Sequence, residues 1–308
     1  MAVSNTKIFG NHLDGDINKM FFDGYKQYPG EHTKLAKFQH ETGNGKGDHY
    51  REGALSPLGT VGIIPQGNPV TFDDPVEGNV KRSEYVKYGL GFQITEEMME
   101  DDLHGNFRGM PGKLSKSMGF KKDSEFFYLF NQAFSATYKT DWTGNALCDA
   151  SGRTTLKSGS GIENRPDTDA ALSETSLQAA LSYFDTLVDE AGFPIYMTPK
   201  YLLVPTAERF TANNLWQANG KPISADNDIN SVSPAYIPEQ WSPFVSRWLT
   251  DADNWFLVAE EHDCRFIWRT PVRLQSSDDF LTGNALFKST MRFVCDTYDP
   301  RGVYGSAP

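Results

Sequence analysis

Five clusters in the 308-residue sequence carry residue types that do chemistry. Glu260, Glu261, His262, Asp263 and Cys264 stand side by side, and all five types ligate metals or move protons. Consecutive residues in a strand or turn point in different directions, whereas a zinc site needs ligands converging from separate segments. The run therefore reads as a polar turn between two strands. The stretch GNGKG at 43–47 has the glycines of a phosphate loop, but neither its spacing nor the Ser or Thr after the lysine. Asp14, Asp16 and Asn18 begin like a calcium loop, yet Lys19 and Tyr25 stand where that loop requires Gly and Glu. The acidic pairs Asp73–Asp74 and Asp278–Asp279 read as solvated turns, because two-carboxylate catalysis needs the groups to face each other across a substrate. No G-x-S-x-G, H-E-x-x-H or C-x-x-C is present. The sequence predicts no enzyme, no catalytic residue, no metal and no cofactor.

Composition narrows the class further. A chain with 39% hydrophobic and 22% charged residues can bury a core and is not wholly disordered. Net charge is −11, from 29 basic and 40 acidic residues, which disfavours a dedicated nucleic-acid clamp. No apolar run reaches the roughly 18 residues of a membrane span, and the N-terminus lacks the apolar run of a signal peptide. Cys148, Cys264 and Cys295 are odd in number and far apart, as expected of reduced thiols in a cytosol.

The elements come next. Residues 1–58 show poor periodicity and read as an extended arm, with INKMFFDGY its one short helix or strand candidate. From Gly59, strand-like residues broken by Gly and Pro lead to a strict alternation: Val86, Tyr88, Leu90, Phe92 and Ile94 against Lys87, Gly89, Gly91, Gln93 and Thr95. Period two marks a half-buried strand. Two strand-like regions with turn-forming residues between them predict a long projecting hairpin, and a hairpin alone is marginal in water. Thr95 caps a short acidic helix. A long helix is expected over 113–136, roughly 36 Å at 1.5 Å per residue, despite the cost of Gly119 inside it. After a Gly/Ser/Asp/Asn-rich loop at 140–170, a helix capped by Ser173 ends at Gly192. The strand YLLV follows, stopped by Pro205, and then a helix over 206–217. Residues 218–250 read as loop, and strands return in WFLVA, CRFIWRT and LFKSTMRFVCD.

This order of parts resembles the fold of tailed-phage major capsid proteins, shared with encapsulins. Local sequence resembles the Mu-type major head subunits: GNALCDASGRTT, the LS-x-x-SL helix start, the D-x-x-G-x-P-I turn, the P-K-x-LLVP strand and the closing YDPRGVYGSAP. The resemblance covers about 85–308. It implies an α+β fold with an N-terminal arm at 1–58, an extended hairpin loop at 59–90, and a peripheral domain at 91–170 holding the long spine helix 113–136. An axial domain at 171–275 and a return to the peripheral domain at 276–308 complete it.

It further implies a structural head protein that self-assembles into an icosahedral shell around double-stranded DNA. Its partners would be other copies of itself in hexamers and pentamers, DNA held without sequence specificity, and scaffolding, portal and decoration proteins, with no membrane. Its place would be the virion, after assembly in the host cytoplasm. The residues expected at contacts between copies are Ile63, Ile64, Val70, Phe72, Val80, Tyr85 and Tyr88 of the hairpin, and Trp216, Tyr236 and Trp241 of the axial domain. For these last three aromatics an ordinary core role is the equal alternative. The rival readings are an encapsulin-like compartment around protein cargo, and a soluble acidic hydrolase or sugar-binding protein. A tail-tube or baseplate protein is a third, disfavoured by the long helix.

Overall fold

The computed structural model describes residues 6–28, 30–40, 47–95, 97–98, 109–138, 144–150, 153–157, 161–217, 230–233, 241–279 and 282–308. The chain divides into two compact units, one of residues 1–49, 84–126 and 265–295, the other of residues 50–83, 127–264 and 296–308.

The first unit is built on a four-stranded sheet. Its strands are β1 (Lys37–His40), β4 (Val86–Ile94), β8 (Cys264–Asp278) and β9 (Ala285–Thr297), in the order β1-β8-β9-β4. β4 runs antiparallel to β9 in unbroken register from Val86 opposite Phe293 to Ile94 opposite Ala285. The alternation read from the sequence therefore has a physical partner. One face of the sheet is aromatic: Phe266 stacks on Phe293 at 4.5 Å, and Tyr88 lies 4.9 Å from Phe293. Leu114, Met118 and Phe126 of the long helix α3 (Met110–Asn131) are buried in this unit.

Before the sheet come α1 (Thr6–Gln27) and the single turn α2 (His32–Leu35). The arm is thus not extended over this stretch, and α1 meets α3 at bare backbone. A Cβ on Gly24 would lie 2.8 Å from Ser115 Oγ, and one on Gly119 only 2.5 Å from Tyr28 Cδ1. Gly119, a propensity cost when only the helix is considered, is the space into which the Tyr28 ring fits. The Tyr28 hydroxyl then donates to Asp123 (2.7 Å), and the backbone N–H of His32 donates to the other carboxylate oxygen (3.0 Å), which also meets the His32 ring. Burial alone would raise the Asp123 pKa; the hydrogen bonds from His32 and Tyr28 outweigh it and hold the carboxyl below its usual range.

The second unit carries the sheet β10-β7-β5-β6, made of β5 (Pro199–Pro205), β6 (Ser242–Ser246), β7 (Trp255–Ala259) and β10 (Val303–Ser306). β5 is an interior strand, with prolines only at its first and last residues, where a missing N–H does least harm to the ladder. Gly192, at φ 89°, closes the tight turn that leads toward it. Helix α4 (Glu174–Asp185) begins at Ser173, whose hydroxyl accepts from Ser176 N–H in a reciprocal cap. Its Leu177 and Phe184 join Leu202, Val204, Trp241, Trp255 and Leu257 in the core. Helix α5 is Arg209–Gln217.

Further expectations need correction. The hairpin pairs β2 (His49–Leu55) with β3 (Glu77–Glu84), so its first strand lies ahead of Gly59, and residues 59–76 form no strand. Pro65, Pro69 and Pro75 cannot donate to a ladder, which keeps that stretch irregular. β4, expected as the hairpin's return, belongs instead to the first sheet. The long helix ends at Asn131, short of residue 136, and the final strand joins β7 in the second unit, leaving only β9 as a return to the first sheet. Thr95 does accept from Met98 N–H (3.2 Å), but the rest of the expected acidic helix lies outside the described residues.

Candidate assembly surfaces

Among the described residues, the clusters that first suggested chemistry sit in turns and in a helix. Glu260 and Glu261 are exposed in a turn between β7 and β8, while His262 is buried and its Nδ1 accepts from Cys264 N–H (3.1 Å). Asp14, Asp16 and Asn18 lie in α1, whose helical backbone has no loop to wrap a cation. Asp279 accepts from the Thr282 hydroxyl (2.7 Å) and its N–H donates to Asn284 O (2.9 Å), as a turn residue does. Residues 43–46 of GNGKG lie outside the described residues. Among the described residues no group of three His, Cys, Asp or Glu is placed to hold a metal, and no helix is long and apolar enough to cross a membrane. All three cysteines are buried thiols outside any disulfide, and burial pushes the Cys148 thiol up to about 12.

The hairpin is the surface that stands out. At its root, the Lys81 ammonium meets the Asp296 carboxylate and donates to Thr297 O (3.1 Å). The Ser83 hydroxyl donates to Asp296 (2.5 Å) and accepts from Tyr298 OH (2.9 Å). Burial raises the Asp296 pKa, against the pull of Lys81 and Ser83. Beyond Leu55 the ladder ends with Ser56 and Val76, joined by Ser56 N–H to Val76 O (2.9 Å) and Val76 N–H to Ser56 Oγ (2.8 Å). The loop between them touches its own unit through Asp73, which accepts from Lys157 (2.6 Å) and Gly59 N–H (2.6 Å); these bonds hold its carboxyl below the usual range. Most of the loop's apolar side chains have no such support: Val61 is 92% exposed, Ile63 99%, Phe72 97% and Val70 62%.

The structure thus separates the residues expected at contacts. Ile63, Ile64, Val70, Phe72 and Val80 are exposed on the hairpin. Tyr85 is buried in the first unit, its ring flanked by the guanidinium groups of Arg269 (5.9 Å) and Arg292 (5.8 Å), and Tyr88 is half-buried against Phe293. Trp241 takes the core alternative: it is 1% exposed, and its indole N–H donates to Val232 O (3.1 Å). An indole so enclosed and bonded is not a contact between copies. Trp216 packs against the same core and donates to Trp241 O (2.9 Å). Tyr236 lies outside the described residues. Leu55, Leu58, Val61 and Val76 are exposed hairpin residues that sequence reasoning passed over. Their signal was the absence of any apolar periodicity that would have turned them inward.

The sequence profile of the phage capsid protein family matches residues 84–306, and the chain belongs to that family. Solved structures share the fold. The capsid of the native GTA particle superposes with a TM-score of 0.57 at 9% identity, covering 89% of this chain and 88% of that one. The virus-like particle from Pyrococcus furiosus gives 0.53 at 8%, covering 95% and 98%. The Mycobacterium phage Bobi structure gives 0.51 at 14%, covering 91% of each. No curated protein sequence matches the chain. The chain is a structural capsid-shell protein with the phage major-capsid fold, and its place is the virion capsid.

Proposed function

We propose that copies of this chain repeat one set of contacts until an icosahedral shell of hexamers and pentamers closes around double-stranded DNA. In this reading the loop at 56–76 lies over a neighbouring copy, and the arm ahead of Phe21 and the segment 218–245 supply further contacts. Assembly takes place in the host cytoplasm, with scaffolding, portal and decoration proteins as additional partners. The exposure of Val61, Ile63, Val70 and Phe72 carries the reading. Covering a Val, Ile or Phe side chain stabilises by roughly 1.5–3 kcal/mol, and a closed shell multiplies each such gain over every subunit. The net charge of −11 suits a wall that surrounds phosphate without gripping it. The family match favours a genome over the protein cargo of a compartment shell.

Two experiments test this. Replacing residues 57–75 by a short Gly-rich turn spares both strands and the Ser56–Val76 closure. The shortened subunit is expected to fold and stay soluble while electron microscopy finds no shells; normal shells would overturn the loop's role. Particles filled by a matching portal and packaging motor are expected to hold nuclease-resistant double-stranded DNA. Particles that hold protein cargo and no DNA would replace the genome with a cargo.

A further inference from the structure

We infer that the outward face of α3 is the part of the shell wall that meets the genome, with Lys113 and Lys116 set against the phosphates of double-stranded DNA irrespective of base sequence. The inference rests on the reading that the shell encloses such DNA, and it names the surface that faces it.

The surface of α3 is sharply divided. Leu114, Ser115, Met118, Lys122 and Asp123 are buried, whereas Lys113, Lys116, Ser117 and Phe120 are exposed. Steps of three and four residues put these last four on one face of a helix. Between Leu103 and Lys122 the sequence has no Asp or Glu, in a chain whose net charge is −11. The Lys121 ammonium, at the flank of this face, is shared between Glu125 and the Tyr88 ring (5.0 Å). Lys113 and Lys116 have no carboxylate partner among the described residues.

The neighbouring helix does not cancel them. α1 meets α3 at Gly24, where an added Cβ would lie 2.8 Å from Ser115 Oγ. From residue 17 on, the exposed charges of α1 are Lys19, Asp23 and Lys26, so its carboxylate stands between two ammonium groups of its own helix. Nor does subunit stability call for the lysines. α3 has no acidic residue in its first turn, although that end of a helix favours anions over cations.

The kind of cation indicates the kind of partner. A guanidinium fork holds an anion in one geometry, while an ammonium on a flexible stem follows a charge wherever it lies. The face carries ammonium groups and no guanidinium, and the Ser117 hydroxyl is turned back on Lys113 O (3.2 Å). It offers charge and little pattern with which to read bases. From Lys113 to Lys121 is about 12 Å of helix, over which duplex DNA presents roughly seven phosphate charges. Two ammonium groups neutralise a minority of them. Each copy thus makes a weak contact, repeated over the whole wall, that leaves the DNA free to slide.

Lysine footprinting of intact particles tests the inference. Acetylation of Lys113 and Lys116, read by mass spectrometry, is expected to be at least about three-fold slower in DNA-filled particles than in particles emptied of DNA. Fast rates in both would place the face away from the genome. Slow rates in both would mean that protein covers it, drawn by Phe120, which is 46% exposed. Either result overturns the proposal. If particles hold DNA and the footprint is unchanged, only the face is wrong; if no particle holds DNA, the reading beneath it falls too.

A variant supplies the second measurement. K113Q/K116Q in the full-length chain is expected to fold, by circular dichroism, and to form shells within about two-fold of the parent's yield. Unassembled subunits are then titrated with a short duplex of mixed sequence over a salt series. The slope of log affinity against log salt is expected to shrink by about two, one for each lysine. An unchanged slope, or a folded chain that no longer forms shells, overturns the proposal.

Discussion

Two irregular segments of the second unit invite comparison: the loop at 56–76 and the described stretches between 144 and 170. Both lack regular ladders, and both must find partners for backbone and side chains. The second finds them within the chain. Arg153 is buried and donates to Asn164 Oδ1 (2.5 Å), to Leu147 O (2.9 Å) and to Ala146 O. Asn164 returns its amide hydrogens to Leu147 O (2.8 Å), Val303 O (2.7 Å) and Pro300 O (3.2 Å). Beside them Arg301 pairs with Glu190 (2.5 Å), whose other oxygen accepts from Leu156 N–H (2.7 Å). The hairpin loop has the Asp73 contacts and little else, and it turns Ile63 and Phe72 to water. A segment completed by its own chain stabilises the subunit; the hairpin loop's exposed apolar groups add little to it, and in the proposed assembly another copy covers them.

The sharpest way to break that contrast is at Asn164. Asn164→Ala takes one acceptor from the buried Arg153 and the amide donor shared by Leu147 O, Val303 O and Pro300 O, with an expected loss of about 3–5 kcal/mol. Thermal melting should show a subunit that barely folds; a loss under about 1 kcal/mol would mean the network is decorative.

Next is Gly119→Ala, which asks whether the arm is also completed from within. Helix propensity alone would make it stabilising by about 1 kcal/mol. The clash with Tyr28 predicts a loss of about 1–3 kcal/mol instead, so the sign of the change in urea midpoint decides.

A third effect concerns Asp123. Its carboxyl is held below the unfolded value, so the contribution is present above the unfolded pKa and is lost as pH falls through the folded one. A drop in melting temperature beginning below about pH 4 is expected, and Asp123→Asn should flatten that part of the profile.

The smallest change in the subunit is expected for Phe72→Ser, within about 0.5 kcal/mol by melting, while shell yield falls. Equal effects on subunit and shell would erase the distinction between the two segments.

How far the sequence disclosed this follows from the same contrast. Val86–Ile94 was readable because its apolar side chains share the face that pairs with the buried residues of β9, where Tyr88 and Phe92 are partly buried and Ile94 buried, although Val86 and Leu90 stay exposed. The Ser173 cap was readable because its chemistry is local. β2 was not, since HYREGAL and its partner EGNVKRSE form a two-stranded ribbon without an apolar face to leave a period. α1 was missed because part of its contact with α3 is made through Gly24 and Gly119, where packing depends on atoms that are absent. At the contacts, residue type marked the aromatics but not their side: Trp241 and Phe72 look alike in a sequence, and only the tertiary structure buries one and exposes the other.

The root of the hairpin has a mechanical consequence. Lys81 and Ser83 grip Asp296, and the chain runs from there through Tyr298 into β10, the strand that completes the second sheet beside β7. A pull on the tip of the ribbon is therefore delivered to the last ten residues of the polypeptide. Were the loop to take load in the proposed shell, that load and the closing of the subunit's own second sheet would be joined through one enclosed ion pair.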